Sequence, residues 1–63
     1  MGKNLFEGVE MKKFFFIKYS GRIIEKAHCT QEDIEKAMSL YPNAKYDEVD
    51  EKTYRYMRVG DPW

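Results

Sequence analysis

The fold is decided by the stretch KKFFFIKYSGRIIEKAH, which occupies residues 12–28 of this 63-residue chain. Lys12 to Tyr19 is rich in aromatic and β-branched residues, and a second apolar run, Arg22 to His28, follows the Ser20-Gly21 pair. Two such runs separated by two turn-forming residues predict a β-hairpin with a two-residue turn.

The turn also predicts which residues of the two strands lie opposite one another. The expected pairs are Tyr19 with Arg22, Ile17 with Ile24, Phe15 with Lys26 and Phe14 with Ala27. Side chains alternate between the two faces of a strand. One face should therefore carry Phe14, Phe16, Ile23 and Ala27, and the other Phe15, Ile17, Tyr19 and Ile24. Both faces of the hairpin are apolar.

A helix is expected directly after the hairpin. Thr30 is a suitable N-cap with Asp33 three residues later, and Cys29 and Ile34 stand at the two positions of a hydrophobic staple. Pro42 should end the helix, because the residue before a proline avoids helical geometry. The apolar stripe at helical spacing consists of Ile34, Ala37, Met38 and Tyr41.

After an acidic loop, Lys52 to Val59 is predicted to form a third strand, with Tyr54, Tyr56 and Arg58 on one face. A right-handed crossover through the helix places this strand beside the first one and antiparallel to it. The sequence therefore predicts a single α+β domain over residues 11–63. It is a compact ββαβ unit with a three-stranded antiparallel sheet in the order 2-1-3 and one helix packed on one face.

One helix covers only one face of this sheet, so the second apolar face needs its own cover. Monomers rarely leave large apolar patches exposed, and chains this short are marginal as monomers. We therefore expect a two-fold homodimer with an interface made of Phe15, Ile17, Tyr19 and Ile24. Two alternatives stay open: residues 1–10 cover this face, or it is the binding site for a partner.

The composition limits the chemistry that the chain can support. Cys29 is the only cysteine, which excludes an internal disulfide and is typical of a reducing compartment. His28 is the only histidine, and adjacent strand residues point to opposite faces. We therefore expect no metal site, no cofactor and no catalytic nucleophile–base pair. The longest apolar run, Phe14 to Ile17, is far shorter than the roughly 20 residues of a membrane-spanning helix.

Candidate partner-binding residues come from an acidic run and from the aromatic and basic residues near the carboxyl terminus. They are Asp47, Glu48, Asp50, Glu51, Tyr54, Tyr56, Arg58 and Trp63. For Trp63 the alternative is a small clamp that packs onto the core. The acidic run is expected to be a solvated loop, with a metal site or mimicry of phosphates as alternatives. The basic aromatic sheet face also suggests a nucleic-acid platform, but the net charge of zero is not that of a dedicated DNA-binding protein.

Met11 to Trp63 resembles small phage-encoded anti-defence inhibitors, and in particular the Hachiman anti-defence proteins of Bacillus phages. The resemblance lies in the short length, the high aromatic and charged content and the single ββαβ unit without catalytic motifs. It carries over no functional residue. It implies a non-catalytic inhibitor in the cytoplasm of a bacterial host, which blocks an antiviral complex of a helicase and a nuclease by direct protein–protein contact.

Residues 1–10 differ from the rest of the chain and are expected to be either an N-terminal arm or an upstream-start extension. Glu7-Gly8-Val9-Glu10 can be encoded by a bacterial ribosome-binding sequence just before the codon of Met11. If Met11 is the main natural start, the natively expressed product has the intact mass of residues 11–63. Mass spectrometry tests this, and a product that retains Met1 to Glu10 contradicts it.

Overall fold

The computed structural model describes residues 11–63. They form β1 (Lys13–Tyr19), β2 (Arg22–Cys29), α1 (Gln31–Met38), β3 (Lys45–Val49) and α2 (Glu51–Tyr56). The strands make one antiparallel sheet in the order β2-β1-β3. This confirms the predicted α+β class, the strand order and the central position of β1. The arm or extension assigned to residues 1–10 lies outside the described residues.

The hairpin turn has the predicted two-residue form. Ser20 and Gly21 both have positive φ, 56° and 76°, as a type I′ turn requires. Glycine adopts such a backbone without a steric penalty. The first pair beyond the turn is Tyr19 with Arg22, so strand pairing starts in the predicted register.

One extra residue in β2 then shifts the register. Lys18 lies opposite Ile23, but Ile17 lies opposite Glu25. Ile24 is therefore accommodated in a β-bulge. Three predicted pairs are wrong by one residue: Ile17–Ile24, Phe15–Lys26 and Phe14–Ala27. The pairs observed beyond the bulge are Ile17–Glu25, Phe16–Lys26, Phe15–Ala27 and Phe14–His28.

The position of Cys29 explains why β2 contains this bulge. Strict alternation from Ile23 would place Cys29 on the same face as Ile23. Cys29 leads into α1, however, and packs against the core cluster that contains Ile34, on the side that the predicted hydrophobic staple requires. One extra residue brings Cys29 to the α1 side. It moves Ala27 there as well, away from the face predicted for it.

The start of α1 confirms the predicted cap. The hydroxyl of Thr30 accepts a hydrogen bond from the backbone N–H of Asp33 at 3.1 Å. The helix ends at Met38, earlier than the stop predicted from Pro42. The next three residues, 39–41, form turns in which each backbone N–H donates to the carbonyl three residues earlier. This early end leaves the connection to β3 outside the helix.

The core beneath α1 is built on Phe15, Ile17 and Ile34, which are 0%, 1% and 0% exposed. Half-buried neighbours complete the cluster: Ile24, Ala27, Cys29, Met38, Tyr41, Ala44 and Tyr46. Phe15 and Ile17 were predicted to lie on the uncovered face and to form a dimer interface with Tyr19 and Ile24. The structure contradicts this for Phe15 and Ile17, because α1 packs on their face and not on the opposite one.

The third strand is Lys45–Val49 and not the predicted Lys52–Val59. It pairs antiparallel with β1, with Tyr46 opposite Ile17 and Asp47 opposite Phe16. The charged residues of this strand are typical of a loop, but charged side chains are also common on edge strands that border solvent. The segment predicted to be an acidic loop therefore contributes a strand to the sheet.

The following residues, predicted as a strand, form the short helix α2 instead. Asp50 is its N-cap and accepts a hydrogen bond from the backbone N–H of Thr53 at 2.8 Å. Glu51 and Arg55 form an i,i+4 ion pair at 2.6 Å. These capping and pairing signals are present in the sequence, and they outweigh the period-two alternation on which the strand prediction was based.

The second face of the sheet is covered by α2 and by residues 57–63, which we call the C-terminal segment. Phe16 and Ile23 are buried on this side. Tyr54 from α2 and Trp63 from the C-terminal segment both pack against Phe16. The expectation of an uncovered face is therefore wrong, because a single chain covers both sides of the sheet. Homodimer formation itself stays a prediction.

Ile34→Val should lower the free energy of unfolding by about 1 kcal/mol, because it removes a fully buried carbon from the core beneath α1. Leu40→Ala removes more atoms, but this side chain is 75% exposed, and we expect a change within about 0.5 kcal/mol. Urea unfolding followed by circular dichroism measures both values. A larger loss for Leu40→Ala than for Ile34→Val would contradict this assignment of the core.

Candidate binding surfaces

The C-terminal segment is attached to the outer edge of β2 by backbone hydrogen bonds. The N–H of Ile23 donates to the carbonyl of Asp61 at 2.9 Å, and the N–H of Gly60 donates to the carbonyl of Ile23 at 2.7 Å. Trp63 N–H donates to the carbonyl of Gly21 at 3.0 Å. These bonds satisfy part of an exposed strand edge, and they fix the path of the segment.

Two basic side chains of β2 hold the same part of the chain. The Lys26 ammonium donates to the carbonyl of Met57 at 2.8 Å and lies 4.5 Å from the centre of the Tyr54 ring, as in a cation–π contact. Arg22 donates to the carbonyl of Gly60 at 3.0 Å. Sequence reasoning missed both roles. For Lys26 the reason is the unrecognised bulge, which determines the face of β2 from which this side chain projects.

Tyr54 was predicted to bind a partner, but in the structure it is a packing residue. Its ring centre lies 4.9 Å from that of Phe14 and 6.1 Å from that of Phe16. The half-buried ring attaches α2 to the sheet. Tyr54 therefore does not share an open strand face with Tyr56 and Arg58, contrary to the prediction.

Trp63 completes the cover near the hairpin turn. Its ring meets that of Phe16 edge-on at 4.9 Å, and its indole N–H donates to the carboxylate of Asp47 at 2.9 Å. Lys18 also contacts this carboxylate at 2.7 Å. The hydrogen bond from Lys18 is the main reason that the pKa of Asp47 lies below its usual value, and partial burial opposes this shift. We call these three polar side chains, Lys18, Asp47 and Trp63, the tryptophan clamp.

The predicted acidic run does not form one continuous surface. Asp47 faces the α2 side of the sheet, whereas Glu48 faces the other side and pairs with a lysine of β1. Asp50 and Glu51 belong to the first turn of α2, where Asp50 is the cap and Glu51 pairs with Arg55. The structure contradicts the alternative that the acidic run imitates a row of phosphates, because these carboxylates point in different directions and have partners within the chain.

An apolar and basic patch remains exposed on α2 and the C-terminal segment. Tyr56 is 80% exposed and Val59 is 57% exposed. Lys52, Arg55 and Tyr56 share one side of α2 at i, i+3 and i+4 spacing. Arg58 and Val59 follow the helix and are also exposed. We call this patch of five residues the C-terminal surface.

A second exposed patch lies near the hairpin turn. It is a shallow groove of about 270 Å³, which we call the turn-end groove, and its lining includes Tyr19, Ile24, Leu40, Tyr41, Pro42 and Ala44. Leu40 and Tyr19 are its most exposed large side chains. Sequence reasoning named Tyr19 and Ile24 as interface residues but missed Leu40, which lies outside the apolar stripe of α1.

His28 and Cys29 lie on opposite faces of β2, as predicted. The His28 ring stacks on Phe14 at 4.2 Å on the α2 side, and Cys29 packs in the cluster beneath α1. Burial, and after it the charge of Asp33, raise the pKa of the Cys29 thiol. A reactive cysteine has the opposite shift. These two residues therefore have the geometry of packing residues and not that of a nucleophile with its base.

No protein-family model, curated protein or solved structure matches this chain significantly. In the part of the chain that the structure describes, no helix is long and apolar enough to cross a membrane. Among residues 11–63, no group of three or more histidine, cysteine or carboxylate side chains is placed to hold a metal ion. The C-terminal surface and the turn-end groove are therefore the features from which we infer a function.

Asp47→Asn should make the protein less stable at neutral pH and less sensitive to acid. Because the pKa of Asp47 is lowered on folding, its charge stabilises the folded state above the unfolded-state pKa of about 4. This contribution is lost as the pH falls below that value. The difference in unfolding free energy between wild type and variant should therefore shrink from about pH 7 to about pH 3.

Urea unfolding followed by the fluorescence of Trp63, the only tryptophan, measures this difference and monitors the tryptophan clamp directly. Asparagine keeps the size of the side chain and an oxygen acceptor for the indole N–H, so the substitution isolates the charge. A difference that stays constant over this pH range would contradict a stabilising role of the Asp47 carboxylate.

Proposed function

We propose that this protein is a small non-catalytic inhibitor that acts by binding another protein. Its target would be an antiviral complex in the bacterial cytoplasm, built around a helicase and a nuclease, as the resemblance to phage anti-defence inhibitors implies. The observation that supports a binding role best is the 80% exposure of Tyr56 on a segment whose neighbouring residues are firmly attached to the sheet.

Tyr56 differs from the aromatic residues around it. Tyr54 and Trp63 both pack on Phe16, whereas Tyr56 projects into solvent. A tyrosine combines a large apolar ring with a hydrogen-bonding hydroxyl, and it is enriched among the residues that dominate the energy of protein interfaces. Its exposure is therefore better explained by contact with a partner than by a role in folding.

The backbone on either side of the exposed side chains is held in place before any partner binds. Met57 is bonded to Lys26 directly after Tyr56, and Gly60 is bonded to both Ile23 and Arg22 directly after Val59. A surface that is already ordered loses less conformational entropy on binding. This arrangement suits a small protein that must bind tightly through few residues.

The alternative function, a nucleic-acid-binding module on the sheet, requires an open aromatic and basic sheet face that the fold of residues 11–63 does not present. The predicted platform needed Tyr54 beside Tyr56 and Arg58 on an open face, but α2 packs on the sheet through Tyr54. Proteins that bind single strands usually stack several bases on several aromatic rings. The C-terminal surface offers one exposed ring, so a protein partner agrees better with the structure.

A homodimer remains part of the proposal, but it would need an interface outside the two covered faces of the sheet. Tyr19 and Ile24, the two predicted interface residues that are not fully buried, line the turn-end groove. Size-exclusion chromatography with light scattering measures the solution mass. A monomer at all concentrations would rule the dimer out.

Bacteria that carry the helicase–nuclease antiviral system should become sensitive to phage again when they express this protein. The purified protein should also co-elute with the purified complex. The double variant His28→Ala/Cys29→Ala should retain both effects, because these residues pack within the domain. Circular dichroism is needed to show that this variant folds.

Two outcomes would overturn different parts of the proposal. If the wild-type protein neither co-elutes with the complex nor restores phage growth, this complex is not the target. If the folded double variant still binds the complex but no longer inhibits it, the inhibition depends on the chemistry of His28 or Cys29, and the protein is not a simple binding inhibitor.

A further inference from the structure

We propose that the C-terminal surface is the docking face, and that it fits a protein partner whose surface carries acidic side chains around an apolar pocket for the Tyr56 ring. This inference rests on the proposed binding function. It adds which side of the molecule makes the contact and which chemistry the partner presents there.

Charge divides the molecule into two sides. The exposed charged residues on the α1 side are mainly acidic: Glu25, Glu32, Asp33, Glu35 and Glu48 face solvent there, and the basic residues are Lys36 and the half-buried Lys13, which pairs with Glu48.

On the C-terminal surface, Lys52 and Arg58 take part in none of the ion pairs among residues 11–63, whereas Arg55 pairs with Glu51. The carboxylates of Asp50 and Asp61 on the same part of the chain accept hydrogen bonds from backbone N–H groups, so Lys52 and Arg58 are the charges that this surface offers to a partner. An acidic partner surface is attracted to one side and repelled by the other. Such complementarity selects the partner and orients its approach.

The C-terminal surface also has the residue types that contribute most to binding energy. Tyrosine and arginine are both enriched among dominant interface residues. Tyr56 and Val59 supply the apolar contact area, and arginine can bind a carboxylate through two parallel hydrogen bonds. The partner therefore needs an apolar pocket for the aromatic ring, bordered by aspartate or glutamate side chains.

The turn-end groove is a weaker candidate for the docking face. Its lining residues are apolar apart from Asn43 and the tyrosine hydroxyls, so no charge on them selects a partner. A nucleic acid is also a less suitable occupant of the C-terminal surface. Proteins that bind single strands usually stack several bases on several aromatic rings, and this surface has one exposed ring, that of Tyr56.

Four single variants test the proposal against purified helicase–nuclease complex immobilised for biolayer interferometry. Tyr56→Ala should weaken binding by about 30-fold or more, as expected for a dominant interface residue. Arg58→Glu should weaken it by about 10-fold or more through charge reversal. Lys36→Glu on α1 is the matched control for charge reversal and should stay within about 3-fold of wild type. Tyr19→Ala tests the turn-end groove as the competing docking face.

The four variants should fold normally, since each of these side chains is exposed, and circular dichroism with thermal unfolding checks this. If the wild-type protein does not bind the complex, the proposed function fails together with the docking face. If it binds, and Tyr56→Ala and Arg58→Glu do not weaken binding, the docking face is overturned and the proposed function stands. A loss of binding in Tyr19→Ala would then assign the contact to the turn-end groove.

A second set of probes, single-stranded and double-stranded oligonucleotides, separates a protein partner from a nucleic acid. We expect no oligonucleotide binding at about 200 mM salt. Wild-type binding to oligonucleotides that falls steeply between about 50 and about 200 mM salt, and that is lost in Arg58→Glu, would overturn the assignment of a protein partner to this surface.

Discussion

β1 carries large apolar side chains on both of its faces, and the domain is stable only if both faces are covered. Phe15 and Ile17 point to one side, Phe16 points to the other, and all three are buried. α1 covers the first side, while α2 and the C-terminal segment cover the second. Burial of apolar surface is worth about 25 cal/mol per Å². The apolar surface on the second side of β1 therefore stabilises the packing of α2 and the C-terminal segment against the sheet.

The bulge at Ile24 connects these two covers. The extra residue reverses the face that each later side chain of β2 occupies. Ala27 and Cys29 therefore point towards α1. Lys26 points towards α2, where it contacts Met57 and the ring of Tyr54. The same extra residue therefore completes the core on one side and supplies an anchor on the other. Removing it would expose apolar groups on one side and bury a charge on the other.

The binding surface follows from this way of covering the second face. Tyr54 and Trp63 are used for packing and hold the chain against Phe16. Tyr56 and Val59 lie between them in the sequence and project into solvent. A chain of this size thereby presents an aromatic ring among basic residues on a backbone that is already ordered. The inhibitory function proposed above uses that arrangement.

The handedness of the crossover was enough to predict the order of the sheet, and local signals were enough to predict the hairpin with its turn and the start of α1 at Thr30. They depend on contacts between residues close in sequence, whose geometry is nearly the same in any fold. Tertiary packing decided the bulge at Ile24, the choice of Lys45–Val49 as the third strand and the separation of Tyr54 from Tyr56. Each of these depends on which residues, distant in the sequence, cover each face of β1. The alternation of side chains in a short segment is compatible with several registers and strand pairings, so it does not decide between them.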